Sequence, residues 1–332
     1  MKKIGMIARA DNSGLGTLSR MFFDNLSIHK VLIVKNGAYQ FFPERFPNFP
    51  ITDRSIESDK LDWLLNDIDI LLTFETSYEP KVFQRAKKKN IKTFLMPMYE
   101  CTSDLRVLGV PDVLLCPSRL DLQFYQKYRA ITKLVYLPVP VDTEKIVKRN
   151  IKSAKIFLHN AGHGGLASRN GTNELLAAIP MIKSDVKVVI NSQRNINFNH
   201  PKAEIRVGNI LNYWDMWKYG DVFVFPHKFD GLSLPVQEAL AAGMPVLSTA
   251  IFPFTSWLPT EWFFEPSDVI QVRVSGTVVE HIDYAVVDPA TIAQKIDDFV
   301  NQDIHIESRK AFKLANEISW SKLKSKYLNI LW

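Results

Sequence analysis

The chain has 332 residues, more than one typical domain and enough for two of about 150. Its 46% hydrophobic and 23% charged residues are those of a soluble globular protein and exclude a disordered chain. Two cysteines, Cys101 and Cys116, lie in or beside apolar runs without a nearby ligand partner; they exclude a disulfide framework or zinc site and are expected in the core. The start, MKKIGMIARAD, has a five-residue apolar stretch before Arg9, too short for a signal peptide. No window approaches the roughly 18 apolar residues of a membrane span, so a cytoplasmic protein is expected.

In the first half, apolar runs alternate with amphipathic segments. Strands are predicted at Lys3–Ala8, Lys30–Val34, Ile68–Phe74, Thr93–Met96 and Val113–Cys116, with helical segments such as Leu15–Leu26 and Lys81–Lys89 between them. This alternation predicts a parallel, doubly wound α/β sheet with ligands at the carboxyl ends of its strands. After the first strand, Gly14 and Gly16 precede an amphipathic helix. Ser19 stands where a third glycine would complete a dinucleotide fingerprint, so the pair reads either as part of a phosphate loop or as a tight turn. Around Leu137–Ile146 two prolines break the periodicity and suggest a domain connection. A second strand and glycine loop follow in KIFLHNAGHGGLASRNGTNELLAAI, and Val186–Asn191 reads as another strand.

The stretch VFVFPHKFDGLSLPVQEALAAGMPVLST, residues 222–249, carries the most information. Val222–Phe225 suits a parallel strand buried on both faces, and Pro226 ends it. Pro235 suits the first turn of a helix and Gly243 the position that stops it. Asp230 then falls on the loop beyond the strand's carboxyl end. Gly231, Leu232 and Ser233 lead into the helix, whose free N–H groups and dipole favour an anion. Glu238 lies two turns into the helix, toward the same face as Asp230. Two acids at this spacing are also compatible with a helix cap and a surface ion pair; the strand, loop and Gly-Pro frame favours a phosphate site.

This segment resembles the E-x7-E signature of retaining glycosyltransferases of the GT-B fold, the family 4 type, with Asp in place of the first Glu. The resemblance extends over essentially the whole chain, strongly from Lys155 onward and loosely before it. It implies two Rossmann-like doubly wound domains facing a central cleft: residues 1–148 on the acceptor side, 149–312 binding the nucleotide sugar, and a C-terminal helix, 313–332, crossing back. The implied donor is a nucleotide-diphosphate sugar such as a UDP-sugar, with no other cofactor and no metal. By the resemblance, loop amides bind the diphosphate, Asp230 contacts the transferred sugar, and Glu238 holds the ribose. Gly14 and Gly16 would touch donor phosphate or acceptor, and Asp142 matches the acid that closes the first domain. RVGNILNYWDMWKYGDVFVF would approach the nucleotide base.

The family places an Arg and a Lys on the second glycine loop, where this chain has His163 and Asn170. Arg169 can supply the missing cation, since a guanidinium grips phosphate bidentately, and Lys228 is a second candidate. Catalysis would be electrostatic, with Asp230 and Arg169 about the reacting centre. After the fourth strand the family often has a His; here Glu75 is the corresponding polar residue, an acceptor ligand or a helix cap. Glu100 is an equivalent candidate on the next strand.

Asp67 and Asp69 form a D-x-D that binds metal in the other large glycosyltransferase fold, but here they precede a strand of a different architecture. The run Arg85–Lys92 reads as a solvated helix end rather than a nucleic-acid patch. A net charge of +6 and a pI near 9.1 are compatible with an anionic acceptor. DNA with hydroxymethylated bases, glycosylated by some bacteriophage enzymes, is one; a lipid, saccharide or protein stays open. So does a non-catalytic GT-B-like module that binds a nucleotide or nucleic acid.

Overall fold

The computed structural model describes residues 2–164, 168–210, 212–273, 277, 279–300 and 302–332. The chain forms two compact units. One comprises Met1–Val139, Val274–Glu280 and Leu323–Trp332; the other comprises Pro140–Arg273 and His281–Lys322.

The first unit contains β1 (Ile4–Arg9), α1 (Gly14–Asn25), β2 (Ile28–Val34), β3 (Ile51–Thr52), α2 (Ser58–Leu64), β4 (Ile70–Phe74), α3 (Lys81–Lys88), β5 (Lys92–Met96), α4 (Leu105–Leu108), β6 (Val113–Cys116), α5 (Arg119–Tyr125) and β7 (Lys133–Tyr136). Its seven strands run in the order β3-β2-β1-β4-β5-β6-β7, all parallel. The strand order reverses between β1 and β4, the crevice position where doubly wound sheets bind ligands. Every residue of β1, β4 and β6 is buried, as expected of strands covered on both faces. Phe22 of α1 packs edge-on against Phe74 and Tyr327, at 5.0 and 5.2 Å between centroids. The Tyr327 hydroxyl donates to the Pro138 carbonyl at 2.9 Å.

The second unit contains β8 (Ile156–Gly162), α6 (Thr172–Ala178), β9 (Lys187–Ser192), β10 (Ala203–Val207), β11 (Val222–Phe225), α7 (Leu234–Ala241), β12 (Val246–Thr249), β13 (Phe263–Phe264), β14 (Asp268–Arg273), β15 (His281–Val286), α8 (Pro289–Val300), α9 (His305–Glu317) and the start of α10 (Trp320–Leu331). A six-stranded parallel sheet runs β10-β9-β8-β11-β12-β13, and β14 pairs with β15 as an antiparallel ribbon. The order reverses between β8 and β11, so the loop after β11 stands at this unit's switch point. Trp217, Phe223, Phe225 and Trp262 are among its largest buried side chains.

The sequence expectation missed short or exposed strands and misplaced single residues. β3, β7, β10, β13 and the β14–β15 ribbon were not anticipated: β3 and β13 have two residues each, and β7, β10 and β14 lack a continuous buried apolar run. The strand expected from Ile68 starts at Ile70. Asp67 has a left-handed backbone, and the Asp69 carboxylate accepts the Lys3 amide at 2.7 Å. Asp67 is ion-paired with Lys3 at 2.6 Å, so this pair of acids sits at the amino-terminal edge of β1 and β4, opposite the edge where such sheets bind ligands. Cys116 is buried as expected, but Cys101 is exposed: it follows β5 in a turn, not within the apolar strand.

Candidate functional site

The carboxyl edge of the second unit's sheet is organised by two loops, one after β8 and one after β11. Gly171 has φ +65°, and a Cβ there would collide with the Pro226 carbonyl; only glycine lets the first loop press onto the end of β11. The Lys228 amide donates to the Arg169 carbonyl at 2.8 Å, tying the loops together. This brings half-buried Arg169 to the loop that carries Asp230. The Arg169 guanidinium lies 5.7 Å from the Phe229 ring centroid.

Asp230 is buried, with 3% of its surface exposed. Its Oδ2 is 2.8 Å from His227 Nδ1, and its Oδ1 accepts the Leu232 amide at 3.3 Å. Burial alone would raise its pKa; the Arg169 charge and the bond from His227 outweigh burial and hold it below the usual carboxylate range. His227 is displaced downward by burial, against the pull of Asp230. Its ring stacks on Phe225 with 3.6 Å between centroids.

α7 begins as its sequence predicts, with Pro235 in the first turn, and Gly243 beyond its end at φ +83°. Ser233 occupies the N-cap with φ +46°, a left-handed conformation uncommon for a residue with a side chain, and its hydroxyl caps nothing. Ser233 Oγ and Gln237 Oε1 are buried without a hydrogen-bond partner among the described residues. Gly231 and Leu232 are buried beside them. A helix start whose N-cap hydroxyl is buried and unsatisfied is suited to an anion with several acceptor oxygens.

Glu238 is fully buried and accepts the Tyr213 hydroxyl at 2.7 Å. Desolvation pushes its pKa up to about 8, although Tyr213 and Trp217 pull the other way and nearby Asp142 adds to the rise. Asp142 itself is ion-paired with Lys145 at 2.8 Å. The two acids of the signature therefore differ: Arg169 and His227 favour the anionic form of Asp230, while burial favours the neutral form of Glu238.

The other predicted groups are placed as follows. The Lys228 ammonium is ion-paired with Glu174 at 2.6 Å and sits over the Tyr284 ring, so its charge is already matched. Asn170 donates to the Ala161 carbonyl at 2.6 Å and braces its own loop. His163 lies half-buried at the end of β8. In the first unit, Gly16 packs so closely on the Asp11 carbonyl that no Cβ fits, whereas Gly14 has open space around its Cα. Glu75 has φ +57° in the turn after β4, and its amide donates to Met96 at 2.8 Å. Glu100 is buried and raises the pKa of Asp121, which desolvation already drives up.

His227, Tyr213 and Glu174 were not singled out from the sequence. His227 carried a usable signal, a His three residues before the key acid in the same loop. Tyr213 lies 25 residues before its partner, a separation that only the fold closes.

No protein-family model matches the chain, and no curated protein sequence does. Solved structures do resemble it. HepE from Anabaena, in complex with UDP and glucose, superposes with a TM-score of 0.67 at 9% identity over 100% of this chain and 99% of that one. The lipopolysaccharide outer core galactosyltransferase WaaB gives 0.63 at 13% identity, covering 99% of this chain and 100% of its own. Sucrose-phosphate synthase from Thermosynechococcus elongatus gives 0.62 at 12% identity, over 99% and 98%. The chain has the fold of the GT-B glycosyltransferases, with two parallel-sheet, Rossmann-like domains.

Proposed function

We propose that the chain is a retaining glycosyltransferase that moves a sugar from a nucleotide-diphosphate sugar to an acceptor hydroxyl, without a metal. The observation that carries this reading is the start of α7: an uncapped helix terminus with a buried, unsatisfied Ser233 hydroxyl, beside an ionised Asp230 and the Arg169 guanidinium. The fold it shares with proteins solved with UDP adds support.

In this reading the diphosphate lies at the α7 terminus, contacted by the Gly231, Leu232 and Ser233 segment and by Arg169, with His163 on the facing loop. Lys228 contributes by neutralising Glu174 nearby. Asp230 provides negative charge next to the transferred sugar, where positive charge develops as the bond to the diphosphate breaks. The acceptor oxygen bonds to the anomeric carbon on the face the diphosphate leaves, and the departing phosphate oxygen takes the hydroxyl's proton. Glu238 receives the ribose; Glu75 and Glu100 are acceptor-side candidates, as is the Gly14 and Gly16 turn. The net charge of +6 favours an anionic acceptor, and hydroxymethylated duplex DNA is the one we propose.

The test is incubation with a panel of nucleotide sugars. Release of free sugar, and an α-linked product from an α-linked donor, is expected; an inverted product removes the retaining mechanism. Labelled sugar should pass to hydroxymethylated but not to unmodified duplex. Label on a lipid or saccharide instead removes the DNA acceptor and leaves the transferase.

A further inference from the structure

The Asp230 carboxylate is one methylene closer to its backbone than a Glu would be, and both of its oxygens already have partners inside the loop, His227 Nδ1 at 2.8 Å and the Leu232 amide at 3.3 Å. A carboxylate has no proton to give, so the imidazole carries a proton on Nδ1, and burial, which lowers the His227 pKa against the pull of Asp230, favours the neutral ring with a lone pair on Nε2. No hydrogen bond from a described residue to Nε2 accompanies the one at Nδ1. The ring is held in orientation by Phe225 on its face and Asp230 at its edge, and it is the more accessible member of the pair, with 10% of its side chain exposed against 4% for Asp230. The arrangement presents a fixed, neutral hydrogen-bond acceptor at the rim of a loop whose own acid is recessed.

We propose that His227 is a donor-binding residue whose Nε2 accepts a hydrogen bond from a hydroxyl of the transferred sugar, with Asp230 as the residue that sets its tautomer and orientation. This rests on the donor reading given above. The class of ligand follows from the chemistry: a neutral imidazole nitrogen with a lone pair recognises an O–H, so the sugar must keep a free hydroxyl at that position.

The test is calorimetric titration of the full chain with UDP and UDP-glucose, and with the guanosine and adenosine counterparts. The variants are His227→Asn, whose amide can still reach Asp230 but has nothing at Nε2, and His227→Gln, whose amide reaches the Nε2 position. All variants should bind the nucleoside diphosphate within about twofold of wild type. His227→Asn should lose about tenfold in affinity for the sugar nucleotide relative to the diphosphate, the scale of one net hydrogen bond, and His227→Gln should recover part of it. His227→Asn with an undiminished preference for the sugar nucleotide overturns the proposal and leaves the donor reading standing. Binding of no nucleotide by the wild type overturns both. Should the Asn variant not fold, nitrogen-15 histidine spectra of the wild type decide: an Nε2 shift on adding UDP-glucose but not UDP supports the proposal, and identical spectra overturn it.

Discussion

The Tyr213 hydroxyl meets the fully buried Glu238 carboxyl at 2.7 Å, which holds the second acid of the signature in the interior rather than on the helix surface. A carboxyl so held can exchange hydrogen bonds with a ribose without first being desolvated. Glu238→Ala should weaken nucleoside-diphosphate binding by about 1 to 3 kcal/mol, while Tyr213→Phe, which frees the carboxyl but keeps it, should cost less, about 0.5 to 1.5 kcal/mol. Titration of the folded variants checks this; an unchanged affinity for Glu238→Ala removes the ribose assignment.

The raised pKa of Glu238 also makes stability depend on pH. Below pH 4.5 the carboxyl is protonated in both folded and unfolded chains. Between its ordinary value of 4.5 and about 8, the folded chain keeps the proton and the unfolded chain releases it, so stability falls as pH rises through this window. Glu238→Gln carries no such proton. Its melting temperature relative to wild type should climb steadily from pH 5 to pH 8, and a constant difference would mean that Glu238 is ionised in the fold. Asp121, raised in the same direction by burial and Glu100, makes a parallel contribution in the first unit, testable with Asp121→Asn.

Asp230 should matter more to turnover than to nucleotide affinity, because in the proposed reaction its charge answers one that develops only as the sugar bond breaks. Asp230→Asn keeps the size, can still bond to His227, and removes the charge. Turnover of donor hydrolysis or transfer should drop roughly a hundredfold, as for other single electrostatic contacts in preorganised sites, with the nucleoside-diphosphate affinity within about twofold. Equal turnover would take Asp230 out of the mechanism.

These residues also show what the sequence could and could not reveal. The β11–loop–α7–β12 segment was legible because its signals are local: a buried apolar strand, a proline at a helix start and a glycine at its stop fix the conformation within 28 residues. The parallel sheets followed from alternation, but the short and half-exposed β3 and β7 lack the apolar run that marks buried strands. Partners across the fold had no local signature. Nothing near Lys228 says that Glu174 matches its charge, and nothing near Glu238 points to Tyr213. Those pairings exist because parallel strands bring loops far apart in sequence to one edge.

Gly14 and Gly16 can now be separated. The Cβ of Gly16→Ala would strike the Asp11 carbonyl, so this variant should destabilise by about 1 to 3 kcal/mol as an overpacking change. Gly14 faces open space in the first turn of α1, so Gly14→Ala should stay within about 1 kcal/mol of wild type. Thermal melts read both. If Gly14→Ala melts like wild type but weakens donor or acceptor binding, the open space is a ligand site; if binding too is unchanged, Gly14 serves only the turn.

Activity should survive chelation. The D-x-D pair is engaged elsewhere: Asp67 is ion-paired with Lys3, Asp69 accepts the Lys3 amide, and both lie at the amino edge of the first sheet. At the α7 terminus the helix amides, the Ser233 hydroxyl and Arg169 can take up the charge of a leaving diphosphate that a divalent cation would otherwise neutralise. Treatment with EDTA should therefore leave the rate within about a factor of two, because helix amides and a guanidinium are not removed by a chelator. Arg169→Ala should be more damaging than chelation, lowering turnover by roughly tenfold to a hundredfold, since it strips the cation whose charge holds Asp230 ionised. A rate that collapses in EDTA and returns with Mn²⁺ or Mg²⁺ would assign the leaving group's charge to a metal and reduce Arg169 to holding Asp230 ionised.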